Sequence, residues 1–215
     1  MSPESQPAAR RRGRPAKRQL IVDAARRVFL RHGYTDTSIE MIAAEAEASK
    51  QTIYNHFEGK EQLFAAVVRA VQQSVMTDSE TLFAARFTET GDVEQDLRAA
   101  FRLMTELNLS GDVAAFRRLV TIEQLRHPEL MREWTQPRPA FESFVAAEIR
   151  RQTACGALDV PDSALAARQL ITLILNEAIN QSRYGLRILT EAEIGRIVDD
   201  GVDFWLRAYR ADGSR

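Results

Sequence analysis

Between Ser49 and Lys60 the chain collects an unusual run of polar side chains: Lys50, Gln51, Thr52, Tyr54, Asn55 and His56, with Ser49 before them and Lys60 after. A carboxamide can bond both edge atoms of adenine in the major groove, whereas hydroxyl, phenol, imidazole and ammonium groups suit phosphate oxygens. On that chemistry Gln51, Asn55 and Lys50 are expected to read bases, and Thr37, Thr52, Tyr54, His56 and Lys60 to hold phosphates. Ile53 and Phe57 stand four apart and are expected to anchor the same short helix to its neighbour. The competing reading is a plain helical hairpin with a solvated face.

The elements that would position this run can be read on either side of it. Thr37 and Glu40 have the spacing of a capping box. Ile39, Ile42, Ala43 and Ala46 then repeat at helical spacing, the pattern breaks at Glu47-Ala48, and Ser49 caps again. Upstream, Leu20, Ile21, Ala24, Val28 and Phe29 mark a first helix from Lys17 to His32, stopped by Gly33. Downstream, Leu63, Phe64, Val67, Val68 and Val71 mark a helix reaching toward Ser74 or beyond. Two short helices joined by a tight turn, the second exposing polar groups, describe a helix-turn-helix.

The stretch IAAEAEASKQTIYNHFEGKEQLF resembles the N-terminal signature of the TetR family of bacterial regulators. The resemblance rests on Ile42-Ala43, Ser49, Thr52, Tyr54, His56-Phe57, Lys60-Glu61 and Leu63-Phe64. Ala24-Ala25, Phe29, Gly33-Tyr34 and Thr37 extend it upstream. The family places Gly in the turn where this chain has Glu47, and a side chain there costs steric energy if the residue is left-handed. The stretch from LRHPELMREW through ALAARQL is similar, less specifically, to the AefR-type C-terminal half. The resemblance implies a homodimer joined by its last two helices, a small-molecule effector inside the body, and duplex DNA as partner.

Composition fits a cytoplasmic helical protein. The chain has 215 residues, 45% of them hydrophobic, and a single cysteine, Cys155, which cannot form an internal disulfide. No run approaches the roughly twenty apolar residues needed to cross a bilayer, and the basic N-terminal stretch has no apolar segment behind it, so no secretory signal is expected. Residues 1–60 hold eleven Lys/Arg and seven Asp/Glu, or +4, while the remainder hold eighteen and twenty-three, or −5. A basic head on an acidic body suits a DNA reader. His32, His56 and His127 are scattered, and metal or nucleophile motifs are missing, so neither an enzyme nor a metal or cofactor is expected.

The expected fold is all-α: a basic arm over 1–16, a three-helix DNA-binding domain over 17–62, and a helical ligand-binding and dimerisation domain over 63–215. In the arm, Arg12 and Arg14 lie in an Arg-Gly-Arg-Pro core that resembles the AT-hook. It would either enter a narrow minor groove or contact phosphates as an unstructured tail. Body helices are expected from Asp92 to Leu109, Asp112 to Arg126, Pro137 to Cys155, Ser163 to Tyr184 and Thr190 to Ala208.

The Ser163–Tyr184 helix is apolar on more than one face. Leu170 and Ile174 from it, with Ile197, Gly201, Val202 and Trp205 from the last helix, are therefore expected to meet a second copy. Phe101, Met104, Phe116, Trp134, Phe141, Phe144, Asn176 and Asn180 are expected to line a pocket for a lipophilic effector. The function expected is a repressor released from a palindromic operator by such an effector. The alternative is an architectural DNA-binding protein that relies on the arm and has no effector.

Overall fold

The computed structural model describes residues 8–86, 91–128 and 139–211. Among the described residues ten α-helices follow one another, and no strand forms beyond an isolated antiparallel bridge between Leu158 and Arg210. The described chain separates into two compact units. One holds the residues up to Gln72 together with those from Leu119 to Pro128, and the other holds Gln73–Arg118 with the residues from 139 onward.

In the first unit, α1 (Ala8–His32) buries Ile21, Val22, Ala24, Ala25, Val28 and Phe29. It begins at Ala8, nine residues earlier than its apolar pattern predicts. Ala8, Ala9 and Arg10–Arg12 favour helix, and the run carries Pro15 within it. The side chains of Arg12 and Arg14 lie outside the described residues.

Gly33, at φ +76°, ends α1 with its amide on Phe29 O at 2.9 Å. α2 (Ile39–Glu45) and α3 (Lys50–Tyr54) follow, and α4 starts at Lys60. Phe29 meets Phe64 edge-on and Tyr34 packs on Phe64, both with centroids 5.0 Å apart, so aromatic side chains bind α1 and α4 together. α4 runs to Arg86, well past Ser74.

The second unit is built on α5 (Val93–Leu109) and α10 (Glu191–Tyr209). α6 (Gly111–Arg126), α7 (Pro139–Ala154) and the Ser163–Gln181 helix complete the body, with only the Gly111–Arg118 part of α6 belonging to this unit. Asp92 caps α5 through the amides of Glu94 and Gln95, and Thr190 with Glu193 closes a capping box on α10. Trp205 Nε1 donates to Ala166 O at 2.9 Å in the centre of the core. Arg98 ties α5 to α10 through Asp199 at 2.8 Å and through Asp203, and pairs with Glu94 at 2.7 Å.

The Ser163–Gln181 helix is not uniform. It divides into α8 (Ser163–Ile171), a π-turn over Thr172–Asn176, and α9 (Glu177–Gln181). The wider turn shifts the helical phase, which lets Leu170, Ile174, Leu175 and Ala178 all face inward. It ends at Gln181 because Arg183, Tyr184 and Gly185 are all left-handed, with φ of 51°, 58° and 80°.

Candidate nucleic-acid interface

The helix-turn-helix is assembled by caps and two buried anchors. Ser38, not Thr37, caps α2, its hydroxyl accepting from Met41 N at 3.3 Å. The expected Thr37 box does not form: Thr37 is 2% exposed and its Oγ1 donates to Gly33 O at 2.6 Å. Its hydroxyl is consumed in the turn after α1 and is not presented to a phosphate.

Ser49 caps α3 as expected, accepting from Thr52 N at 3.1 Å and sharing a 2.8 Å bond with the Thr52 hydroxyl. Ile53 and Phe57 are buried at 0% and 2% exposure and fix α3 from beneath. Arg18 reaches over the Phe57 ring, 4.8 Å from its centroid. Between the helices Glu47 adopts φ +46°, so the left-handed turn is retained with a residue that pays for it sterically.

With the inner face fixed, Lys50, Gln51, Tyr54 and Asn55 are exposed, and Thr52 and His56 are half-buried. Gln51 Nε2 donates to Asn55 Oδ1 at 3.2 Å. Lys50 pairs with Glu40 of α2, whose carboxyl is pulled down to about 2, chiefly by the bond from Lys50. Glu45 takes Arg27 Nε at 2.6 Å and also Arg31, and these guanidinium groups, Arg27 foremost, lower its pKa; α2 is thereby stitched to α1.

Lys60 departs from expectation. Its ammonium donates to the carbonyls of Tyr34 at 2.9 Å, Thr35 at 3.2 Å and Thr37 at 2.9 Å, and lies 4.5 Å from the Tyr34 ring centroid. A lysine so used braces the α1–α2 turn and is not aimed at a phosphate. Sequence reasoning missed this role, and the only signal was the fixed spacing between the turn and the start of α4.

The body distributes the other expected residues differently. Phe101 and Met104 are fully buried in one core, and the half-buried Phe141 and Phe144 pack against it; Phe116 is buried as well. Asn176 and Asn180 are exposed and do not join them. Trp134 lies outside the described residues.

The six residues expected at a dimer interface, Leu170, Ile174, Ile197, Gly201, Val202 and Trp205, are all buried within the subunit. Gly201 lets α10 approach the π-turn: a Cβ there would stand 2.5 Å from Ile174 Cγ1. These six build the subunit's own core. The outer side of the same helices carries a groove of about 480 Å³ lined by Leu173, Glu177, Glu193, Arg196, Asp200 and Phe204, among others.

An α2–turn–α3 unit that exposes paired amides above two apolar anchors defines a helix-turn-helix DNA-binding protein. Residues 21–67 match the family described as bacterial regulatory proteins, tetR family, and residues 95–211 match the AefR-like transcriptional repressor C-terminal domain. The chain belongs to the TetR family of transcriptional regulators, which are not enzymes.

Three relatives illustrate the likeness. A TetR-family regulator from Mesorhizobium loti is 30% identical, with 92% of this chain and 98% of that one covered and a TM-score of 0.84. The flavonoid-responsive regulator FrrA is 28% identical over 91% of this chain and 98% of its own, with a TM-score of 0.69. The repressor AcnR of Corynebacterium efficiens is 29% identical over 150 residues, 69% of this chain and 73% of the relative. No helix among the described residues is long and apolar enough to cross a membrane.

Proposed function

We propose that the chain is a homodimeric repressor that holds a two-fold operator and is released from it by a small lipophilic effector. The observation that carries the reading is the exposed Gln51–Asn55 pair on a helix fixed by Ile53 and Phe57. Gln51 and Asn55 read bases, while Ser49, Thr52, Tyr54 and His56 meet phosphates. Lys50 joins them only by leaving Glu40. Two copies of so short a reading helix require half-sites about one helical turn, roughly 34–36 Å, or a multiple of it apart.

Dimerisation uses the outer faces of α9 and α10. Phe204 is 63% exposed there, and Arg196 stands among Glu177, Glu193 and Asp200. A two-fold interface pairs each patch with itself, so this mixture of charges can be self-complementary. The effector is accommodated where the half-buried Phe141 and Phe144 border Phe101 and Met104. The likeness to a regulator named as flavonoid-responsive supports a flat, largely apolar compound.

The test is a duplex enriched by the full chain from a random pool, followed by anisotropy with and without a panel of flavonoids and other lipophilic compounds. Any compound that raises the thermal midpoint should also release the duplex, since it binds the native state. Enriched duplexes without two-fold symmetry would sink the reading.

A further inference from the structure

Glu123, in the part of α6 that belongs to the first unit, is a carboxylate with 3% of its side chain exposed. Its Oε2 has no hydrogen-bond partner among the described residues. A buried polar atom left so is costly, and more so when charged. Ordinary packing would fill the position with an apolar side chain.

What the carboxylate does is visible at its other oxygen. Oε1 accepts from the backbone N–H of Tyr34 at 3.4 Å and lies 3.8 Å from where a Cβ on Gly33 would stand. Tyr34 is the first residue after the left-handed Gly33 that ends α1. The surroundings of the carboxylate come from the same helix and the same turn. His127 Nε2 is 3.9 Å from Oε2, the exposed Arg126 is 4.0 Å from Oε1, and the His127 and Tyr34 rings meet at 5.2 Å.

The turn is held from two sides. Lys60 of α4 takes its carbonyls, and Glu123 of α6 takes its leading amide. α4 and α6 are also helices whose chain continues from this unit into the other. The turn runs into Ser38, the cap of α2, so its placement sets where the helix-turn-helix begins.

We propose that Glu123 is a positioning residue for DNA binding: by holding the Tyr34 amide it fixes the Gly33–Thr37 turn and makes duplex affinity answer to the placement of α6. The proposal rests on DNA binding by the family and on neither the effector nor operator symmetry.

Two substitutions separate reach from charge. Glu123→Gln keeps an oxygen at the Tyr34 amide and removes the charge, whereas Glu123→Asp keeps the charge and withdraws it by one methylene. In the full chain, on a duplex enriched by the wild-type protein, Glu123→Gln should bind within about threefold of wild type and Glu123→Asp about tenfold or more weaker. Hydrogen exchange over residues 33–37 reads the same contact without DNA. It should quicken in Glu123→Asp and stay unchanged in Glu123→Gln.

A Gln variant as weak as the Asp variant overturns the proposal, as does an Asp variant that binds like wild type. If Glu123→Asp does not fold, Glu123→Ala also withdraws the oxygen and stands under the same two criteria. A wild-type chain that enriches no duplex would count against DNA binding itself, and exchange over 33–37 would still decide whether Glu123 holds the turn.

Discussion

The side-chain amides of Gln51 and Asn55 hold each other on the open face of α3, 3.2 Å apart, one turn of helix separating their backbones. A paired presentation orients both groups before DNA arrives, and adenine offers a matching donor and acceptor. Tyr54, 51% exposed beside them, has one hydroxyl and suits a phosphate.

Gln51→Ala is therefore expected to relax preference at one or two base positions, by about 1–3 kcal/mol each. Tyr54→Ala should weaken all sequences alike and make the salt dependence shallower. Competition within a randomised duplex pool measures both, and uniform losses in both variants would contradict the assignment.

Glu47 carries the steric cost of a left-handed turn, at φ +46°. That conformation costs a residue with a Cβ about 1–2 kcal/mol, and glycine gives back part of the relief as greater freedom in the unfolded chain. Glu47→Gly should stabilise the native state by about 0.5–1 kcal/mol, visible as a higher urea midpoint with unchanged slope. A lower midpoint would mean that the Glu47 side chain makes a contact outweighing its strain.

Lys50 and Glu40 join α3 to α2 across the turn, and the bond from Lys50, ahead of the Glu40 backbone amide and the Ser38 hydroxyl, takes the Glu40 carboxyl from its ordinary 4.5 down to about 2. A depressed carboxyl contributes stability that is complete above about 4.5 and is lost as pH falls from there toward 2. Both side chains are more than half exposed, so the contribution is small and salt-sensitive. A carbon-detected titration should place Glu40 near 2 in the wild type. In Lys50→Met it should move up toward its ordinary value. A Glu40 midpoint unmoved by Lys50→Met would assign the shift to the amides and hydroxyl of the α2 cap.

The legible parts of this fold are those written in local spacing. Ile53 and Phe57 announced the buried side of α3, Ser49 and Asp92 announced their caps, and Gly33 announced the end of α1. Contacts set by distant partners were hidden. Thr37 has the residue type and the Glu three places on that a capping box needs, but it turns back to Gly33 O, leaving the cap to Ser38. Lys60 stands at a helix start, where a phosphate is the natural guess, yet three turn carbonyls reach it first. The π-turn at Thr172–Asn176 had no signal in the local spacing, and apolar character on more than one face of the Ser163–Gln181 helix does not say which face the subunit's own core takes. Leu170 and Ile174 belong to the core, while Asn176 belongs to the surface.

That reassignment separates two kinds of substitution on the last helices. Ile174 is fully buried, so Ile174→Ala should cost about 2–5 kcal/mol of stability through the lost side chain and the cavity it leaves. Phe204 is 63% exposed at the groove with Leu173 and Arg196, so its truncation costs the isolated subunit little. If the outer faces of α9 and α10 join two copies as proposed, Phe204→Arg places a charge in that contact, which desolvation penalises. The expected outcome is a monomer by sedimentation, with helix content intact. Its operator affinity should fall by about 10²-fold or more, because the second half-site is no longer held at high effective concentration. A Phe204→Arg chain that still sediments as a dimer would place the contact between copies elsewhere, and Leu165, also exposed, would be the next position to test.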